Sequence, residues 1–260
     1  MKKIFLLLTV AFTLTTSAQY AIVSAVDVKD GMEDQYLALE AFFGPIHELA
    51  IEKGMLNSQA VFKVINTSDD GENVADYFII SGFSSKEQLD SYLNTPAGTN
   101  MSLAKEAHKG SLSSRRVERI MNSVGGESNQ RRNYHLVGVD ATIWAGGDLK
   151  PGDKMNILGT IAKSDDFESY ESEIYKPMVE KEILKGNHRW WSLTKIYERT
   201  DNAYGDITHM FFNIGVEGKN MMESWEKMQS TFKGKKLMEG LQAASDHQNG
   251  GQLELVSIHN

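Results

Sequence analysis

The chain has 260 residues, no cysteine, a formal net charge of −8 and 41% hydrophobic residues. The lack of cysteine excludes disulfides, iron–sulfur clusters and thiolate metal sites, and the acidic balance argues against nucleic acid or an anionic membrane as the main partner. The length suffices for two small domains of about 110 residues each.

Residues 1–18 read as an export signal. Lys2 and Lys3 form a positive n-region, residues 4–15 an apolar run shorter than a bilayer span, and Thr16-Ser17-Ala18 a cleavage site that leaves Gln19 first. Loss of Lys2 and Lys3 takes the charge from −8 to −10. No later stretch reaches membrane length, so the expectation is an exported chain, periplasmic or extracellular, with no integral membrane segment after cleavage.

Residues 21–28 are apolar and β-branched and read as a strand, ended by Asp30-Gly31. Residues 32–53 have helical spacing, with Tyr36, Leu39, Phe43, Ile46 and Leu49 on one stripe. Pro45 is expected to kink or restart this helix and Gly54 to end it. Residues 59–65 and 77–83 read as a hairpin around the polar tract 66–73, and Ser84-Ser85-Lys86-Glu87 opens a second helix with serine caps. A strand over 116–123 would complete a βαββαβ unit, 19–124, with 125–133 as a polar, glycine-bearing linker.

The second unit, 134–260, reads alike. It has a strand over 135–144, a helix over 165–185 carrying Pro177, a hairpin of 190–197 with 207–214, a helix over 220–233 and a last strand over 253–258. Its departure is an insertion, 145–163, read either as a lid over a binding site or as a mere elaboration. The two halves also match residue by residue. Pro45/Pro177, Glu48/Glu180, Ile51/Ile183, Lys53/Lys185, Gly54/Gly186 and Lys63/Lys195 all stand 132 positions apart without a gap.

The βαββαβ unit is the ferredoxin-like split motif. Doubled, with a proline-bearing first helix ending in Lys-Gly, it resembles the dimeric α+β barrel superfamily of antibiotic-biosynthesis-type monooxygenases, EthD-like and NIPSNAP-like proteins. The runs Val28-Lys29-Asp30-Gly31-Met32-Glu33-Asp34-Gln35-Tyr36 and Gly44-Pro45-Ile46-His47-Glu48 are similar to those of exported proteins of Bacteroidetes-type bacteria. The resemblance implies an α+β fold: two tandem ferredoxin-like units whose sheets face each other as an intrachain pseudo-dimeric barrel. The chain would then be a monomer (a pseudo-dimer) or a homodimer.

Among candidate site residues the run His188-Arg189-Trp190-Trp191 stands out, because the first half has the plainer Met55-Leu56-Asn57-Ser58-Gln59 at the same place. Strand alternation sends Trp190 and Trp191 to opposite faces. The bland reading is two packing tryptophans; the functional one is an aromatic wall for a flat or sugar-like ligand, with His188 or Arg189 at its rim. Seven histidines raise a metal site, but no His-x-His or HExxH spacing occurs and His188 and His209 fall far apart in their hairpin. No metal or other cofactor is called for. No nucleophile elbow or phosphate loop is present. Arg115, Arg116, Arg119, Arg131 and Arg132 read as a solvated face and linker rather than an anion site. Two functions follow. One is binding of a small apolar or aromatic molecule inside the barrel. The other is a cofactor-independent oxygenase- or isomerase-type enzyme, with Tyr197, His209 and Asn213 as barrel-facing catalytic candidates; His209 and Asn213 share strand parity with Phe211.

Overall fold

The computed structural model describes residues 19–67, 75–219 and 222–260; the expected export signal lies outside them. In chain order the elements are β1 (Tyr20–Val28), α1 (Glu33–Glu52), β2 (Ser58–Thr67), β3 (Tyr77–Phe83), α2 (Lys86–Leu93), α3 (Thr99–Ala107), α4 (Ser114–Met121) and β4 (Ser128–Ala141). Then come β5 (Lys154–Ala162), α5 (Phe167–Tyr170), a π-helical turn (Glu171–Tyr175), α6 (Lys176–Leu184), β6 (His188–Arg199), β7 (His209–Gly215), α7 (Met222–Gln229), α8 (Phe232–Ala244) and β8 (Ser245–His259).

The eight strands close into one antiparallel barrel in the order β1-β3-β2-β8-β5-β7-β6-β4, with β4 returning to β1. The two halves of that order match: β4-β1-β3-β2 and β8-β5-β7-β6 each run fourth, first, third, second strand. The seams are β2 on β8 and β4 on β6. Closure leaves no unpaired sheet edge, the usual liability of an open sheet.

An eight-stranded barrel is just wide enough for side chains to fill, and here they do. Val23, Phe62, Tyr134, Leu136, Ile157, Ile196, Phe212, Leu253 and Leu255 form one buried cluster, and Phe78 and Ile80 of β3 pack against it. Every strand contributes. The opposite strand faces carry the helices. In the first half Ile22 and Phe83 meet Leu39, Phe42 and Ile46 of α1, Leu89 of α2, Leu103 of α3 and Val117 of α4. In the second half Trp191, Leu193 and Phe211 meet Phe167, Val179, Ile183 and Ala244.

Local expectations hold where local chemistry decides. The Ser85 hydroxyl accepts the Gln88 amide at 3.2 Å. Gly54 and Gly186 end α1 and α6 at φ of +69° and +74°, a conformation disfavoured for residues with a side chain. Pro45 does not break α1, which runs through it.

Three expected elements are corrected. Residues 116–123 lie mostly in α4 and form no strand. The linker expected at 125–133 is largely the start of β4, a 14-residue strand that also takes in most of the strand expected at 135–144. The insertion at 145–163 contains β5, so the connection between the two four-strand sets is residues 142–153. Among the described residues no helix is long and apolar enough to cross a membrane.

Candidate functional site

The β6–β7 hairpin fixes the direction of every site residue expected from the sequence. Ile196, Met210, Phe212 and Ile214 enter the barrel, while Trp191, Leu193 and Phe211 point at the helices. His209 and Asn213 flank Phe211 at two-residue spacing and so share its outer side. Tyr197 is outward too, edge-on to Tyr20 at 6.0 Å with Lys86 Nζ 5.9 Å from its ring. The shared parity is as expected, but the face is not: Tyr197, His209 and Asn213 are not barrel-lining groups. Both faces of this sheet are covered, one by the barrel core and one by helices, so alternation alone does not say which is which.

His209 sits in a polar lock. Its Nε2 lies 3.2 Å from Glu168 Oε1, its Nδ1 2.8 Å from Thr208 Oγ1, and Lys195 Nζ donates to the same Glu168 oxygen at 2.8 Å. Burial lowers the His209 pKa, and the Lys195 hydrogen bond lowers that of Glu168. The first half holds the same arrangement, with Lys63 and Tyr77 both donating to Glu33 Oε1 at 2.6 Å. Lys63 pairs with Tyr77 across β2 and β3 as Lys195 pairs with His209 across β6 and β7. These locks tie the first helical segment of each half to its hairpin.

The four-residue run splits as alternation requires. Trp190 packs against the barrel core, and Trp191 is fully buried beneath the helices. His188 is buried opposite Gly215, its Nε2 unpartnered among the described residues. Burial lowers its pKa. Arg189 is committed to the connecting segment: Nη1 donates to Asp153 Oδ2 at 3.1 Å and Nη2 to the Gly147 carbonyl at 3.2 Å. Its guanidinium lies 5.5 Å from the Trp144 ring, which stands 5.8 Å from that of Trp190. Residues 144–153 thus form a pinned strap beside Trp190.

A cavity lies elsewhere. It measures about 210 Å³ and opens on the outer side of the second half, between α6 and α7. Tyr175, Met178, Trp225 and Met228 line it together with Lys181, Glu182 and Lys185. The Tyr175 and Trp225 rings meet at 5.3 Å, edge to face, and Tyr175 stands 5.8 Å from Trp191 below. The helix that carries Tyr175 is irregular. The π-helical turn at Glu171–Tyr175 precedes Pro177, which sits in the first turn of α6, where a missing N–H is tolerated. Such turns are frequent at functional sites. A smaller continuation is lined by Tyr170, Ile174, Leu237 and Leu241. At Gly240 of α8 a Cβ would stand 2.5 Å from the Tyr170 hydroxyl, so a side chain there would displace the Tyr170 ring.

Two buried polar groups have no evident structural use. Glu171, 2% exposed, lies four residues before Tyr175, and burial pushes its carboxyl up to about 8. Burial, and secondarily the Glu171 charge, pushes Tyr175 up to about 12. Trp191 Nε1 has no hydrogen-bond partner among the described residues, which is uncommon for a buried indole. The Glu182 carboxylate, by contrast, is bound by Lys185 Nζ at 2.6 Å and Asn187 Nδ2 at 2.8 Å. The sequence signal for this cavity was weak, since Tyr175, Met178, Trp225 and Met228 come from two helices and read as ordinary amphipathic residues. No group of three or more metal-ligating side chains converges among the described residues.

Comparison with known proteins agrees with this architecture. No family model and no curated protein matches the chain. Among solved structures, an anthrone oxidase-like protein superposes with a TM-score of 0.53 at 9% identity, covering 94% of each chain. Putative monooxygenases from Fusobacterium nucleatum and Lactobacillus acidophilus give 0.53 at 11% and 0.51 at 13%. They cover 94% of this chain and 95% and 96% of their own. At such identities the likeness is one of fold. The fold that the likeness and the structure share is α+β, a closed eight-stranded antiparallel barrel with helices outside it.

Proposed function

We propose that the protein binds a small aromatic molecule in the cavity between α6 and α7, outside the barrel rather than within it. One observation carries this reading: the cavity is walled by two aromatic rings and two methionines, while the barrel interior is filled by its own side chains. Aromatic and thioether groups suit a flat apolar ligand. At about 210 Å³ the space is below the roughly 300–1,000 Å³ of drug-sized sites, which favours a one- or two-ring ligand. A fluorescence and thermal-shift screen of such compounds tests it. Hits should be lost in Trp225→Ala and kept in Trp190→Ala; the reverse would move the site to the strap.

A second reading, an oxygenase- or isomerase-type enzyme, is favoured by Glu171. A carboxyl that holds its proton near neutral pH suits proton transfer, and the fold neighbours include an anthrone oxidase-like protein. Turnover of a phenolic substrate that survives Glu171→Gln unchanged would remove that role.

The chain further reads as two tandem ferredoxin-like units, 19–141 and 154–260, joined by 142–153. The repeated strand order, the residue matches 132 apart and the paired Glu–Lys locks support it. We also propose export, on the strength of Lys2, Lys3 and the apolar run after them. Mass spectrometry of the protein from its native host should find Gln19 at the N terminus; an intact Met1 would contradict it.

A further inference from the structure

We propose that the cavity selects a planar aromatic monoanion, with an aryl carboxylate as its simplest form, and that Lys181 is the residue that selects the charge. The inference rests on the binding reading above and adds the ligand's charge to it.

Three charged side chains are among those that line the cavity, Lys181, Glu182 and Lys185. Glu182 is almost fully buried and paired with Lys185, and Asn187 donates to its second oxygen. Lys181 has no ion pair among the described residues. Among the described residues that line the cavity, the lysines therefore outnumber the carboxylate by one, beside an aromatic and methionine wall. A neutral ring would use the wall alone, and a cationic ring would face an unfavourable charge. A monoanion satisfies both features, its ring against Tyr175 and Trp225 and its charge toward Lys181. An ammonium is a compact donor on a flexible stem, able to meet an anion at the entrance while the ring lies deeper. The carboxyl of Glu171 does not oppose this, because burial keeps it protonated near neutral pH.

The test uses the full chain with two probes of the same shape, 2-naphthoate and its neutral amide, 2-naphthamide, read by tryptophan fluorescence titration. Wild type is expected to bind the naphthoate about tenfold more tightly than the amide. Lys181→Met, a change at an exposed position, should erase that preference by weakening the naphthoate alone. Raising the salt concentration should narrow the preference in wild type and leave Lys181→Met unaffected. Trp225→Phe, with its fold checked by circular dichroism, should weaken both probes. Equal binding of both probes to wild type, or a preference that survives Lys181→Met, would overturn charge selection and leave the aromatic site standing. Binding of neither probe, or binding of both untouched by Trp225→Phe, would overturn the site and this inference with it.

Discussion

Glu171 and the half-buried His47 give the protein opposed pH dependences that can be read one residue at a time. The folded pKa of Glu171, about 8, lies above the unfolded value of roughly 4.3. Its contribution to stability is therefore complete below about pH 4 and is lost as pH rises through 8. Glu171→Gln keeps the shape without the charge. It should raise stability at pH 8 by on the order of 3 kcal/mol while changing little at pH 4.5, as urea titrations at the two pH values would show. Equal effects at both would mean that Glu171 is ionised in the fold. His47 runs the other way. Burial first, and the His259 charge second, lower its pKa to about 4. It stacks on Phe43 at 5.7 Å, and His259 stands 6.2 Å away with its Nδ1 3.2 Å from Glu48. A folded pKa below the unfolded 6.5 means stability is complete above pH 6.5 and falls as pH drops toward 4. His47→Gln should flatten that acid limb by roughly 2–3 kcal/mol; an unchanged limb would place the acid sensitivity at other groups.

Among the elements, the β6 strand separates the roles of its adjacent tryptophans. Trp191 is fully buried against Leu193, Phe211 and Val179, so Trp191→Ala should cost about 3–5 kcal/mol. Trp225 lines an open cavity and packs less completely, so Trp225→Ala should cost less than half as much in the same melts. Comparable losses would mean that the cavity wall is core. The strands and helices that local sequence governs were legible: β3 falls on 77–83 as expected, and β1, α1 and β6 begin within two residues of their expected starts. The failures have physical causes. In α4, Val117, Ile120 and Met121 follow helical spacing, and only the demand for a fourth strand suggested otherwise. The start of β4, Ser-Asn-Gln-Arg-Arg-Asn, is too polar to announce a strand. It becomes one because β1 pairs with it, and because Arg132 is buried with its guanidinium 5.0 Å from the Tyr204 ring. With the fourth strand expected at 116–123, β5 reads as an insertion.

For the whole molecule, the barrel is held across two seams, β2–β8 and β4–β6, that join sequence-distant strands. Either half alone would expose two long strand edges, a state prone to association. Fragments 19–146 and 147–260, cut within the connection, should therefore assemble one-to-one when co-expressed and aggregate or self-pair when separate. Two independently stable monomers, seen by sedimentation, would contradict this interdependence. At this scale the Glu33–Lys63–Tyr77 and Glu168–Lys195–His209 locks are a contact pattern that both halves contain. The cavity beside Tyr175 and Trp225 is a feature of the second half's helices, and no single sequence run announced it. The four candidate binding residues drew attention to β6, but three of them, Arg189, Trp190 and Trp191, serve the strap and the cores, and the cavity opens between α6 and α7.

The central claim is that a small aromatic ligand meets Trp225 and not the barrel mouth. The four tryptophans, Trp144, Trp190, Trp191 and Trp225, report on both places at once. Fluorine NMR of protein labelled with 5-fluorotryptophan, with each signal assigned by a single Trp→Phe variant and titrated with 2-naphthoate, tests the claim directly. The Trp225 resonance should shift most, Trp191 less, and Trp144 and Trp190 should stay in place. A saturable shift confined to Trp144 and Trp190 would contradict the account and put the ligand under the strap.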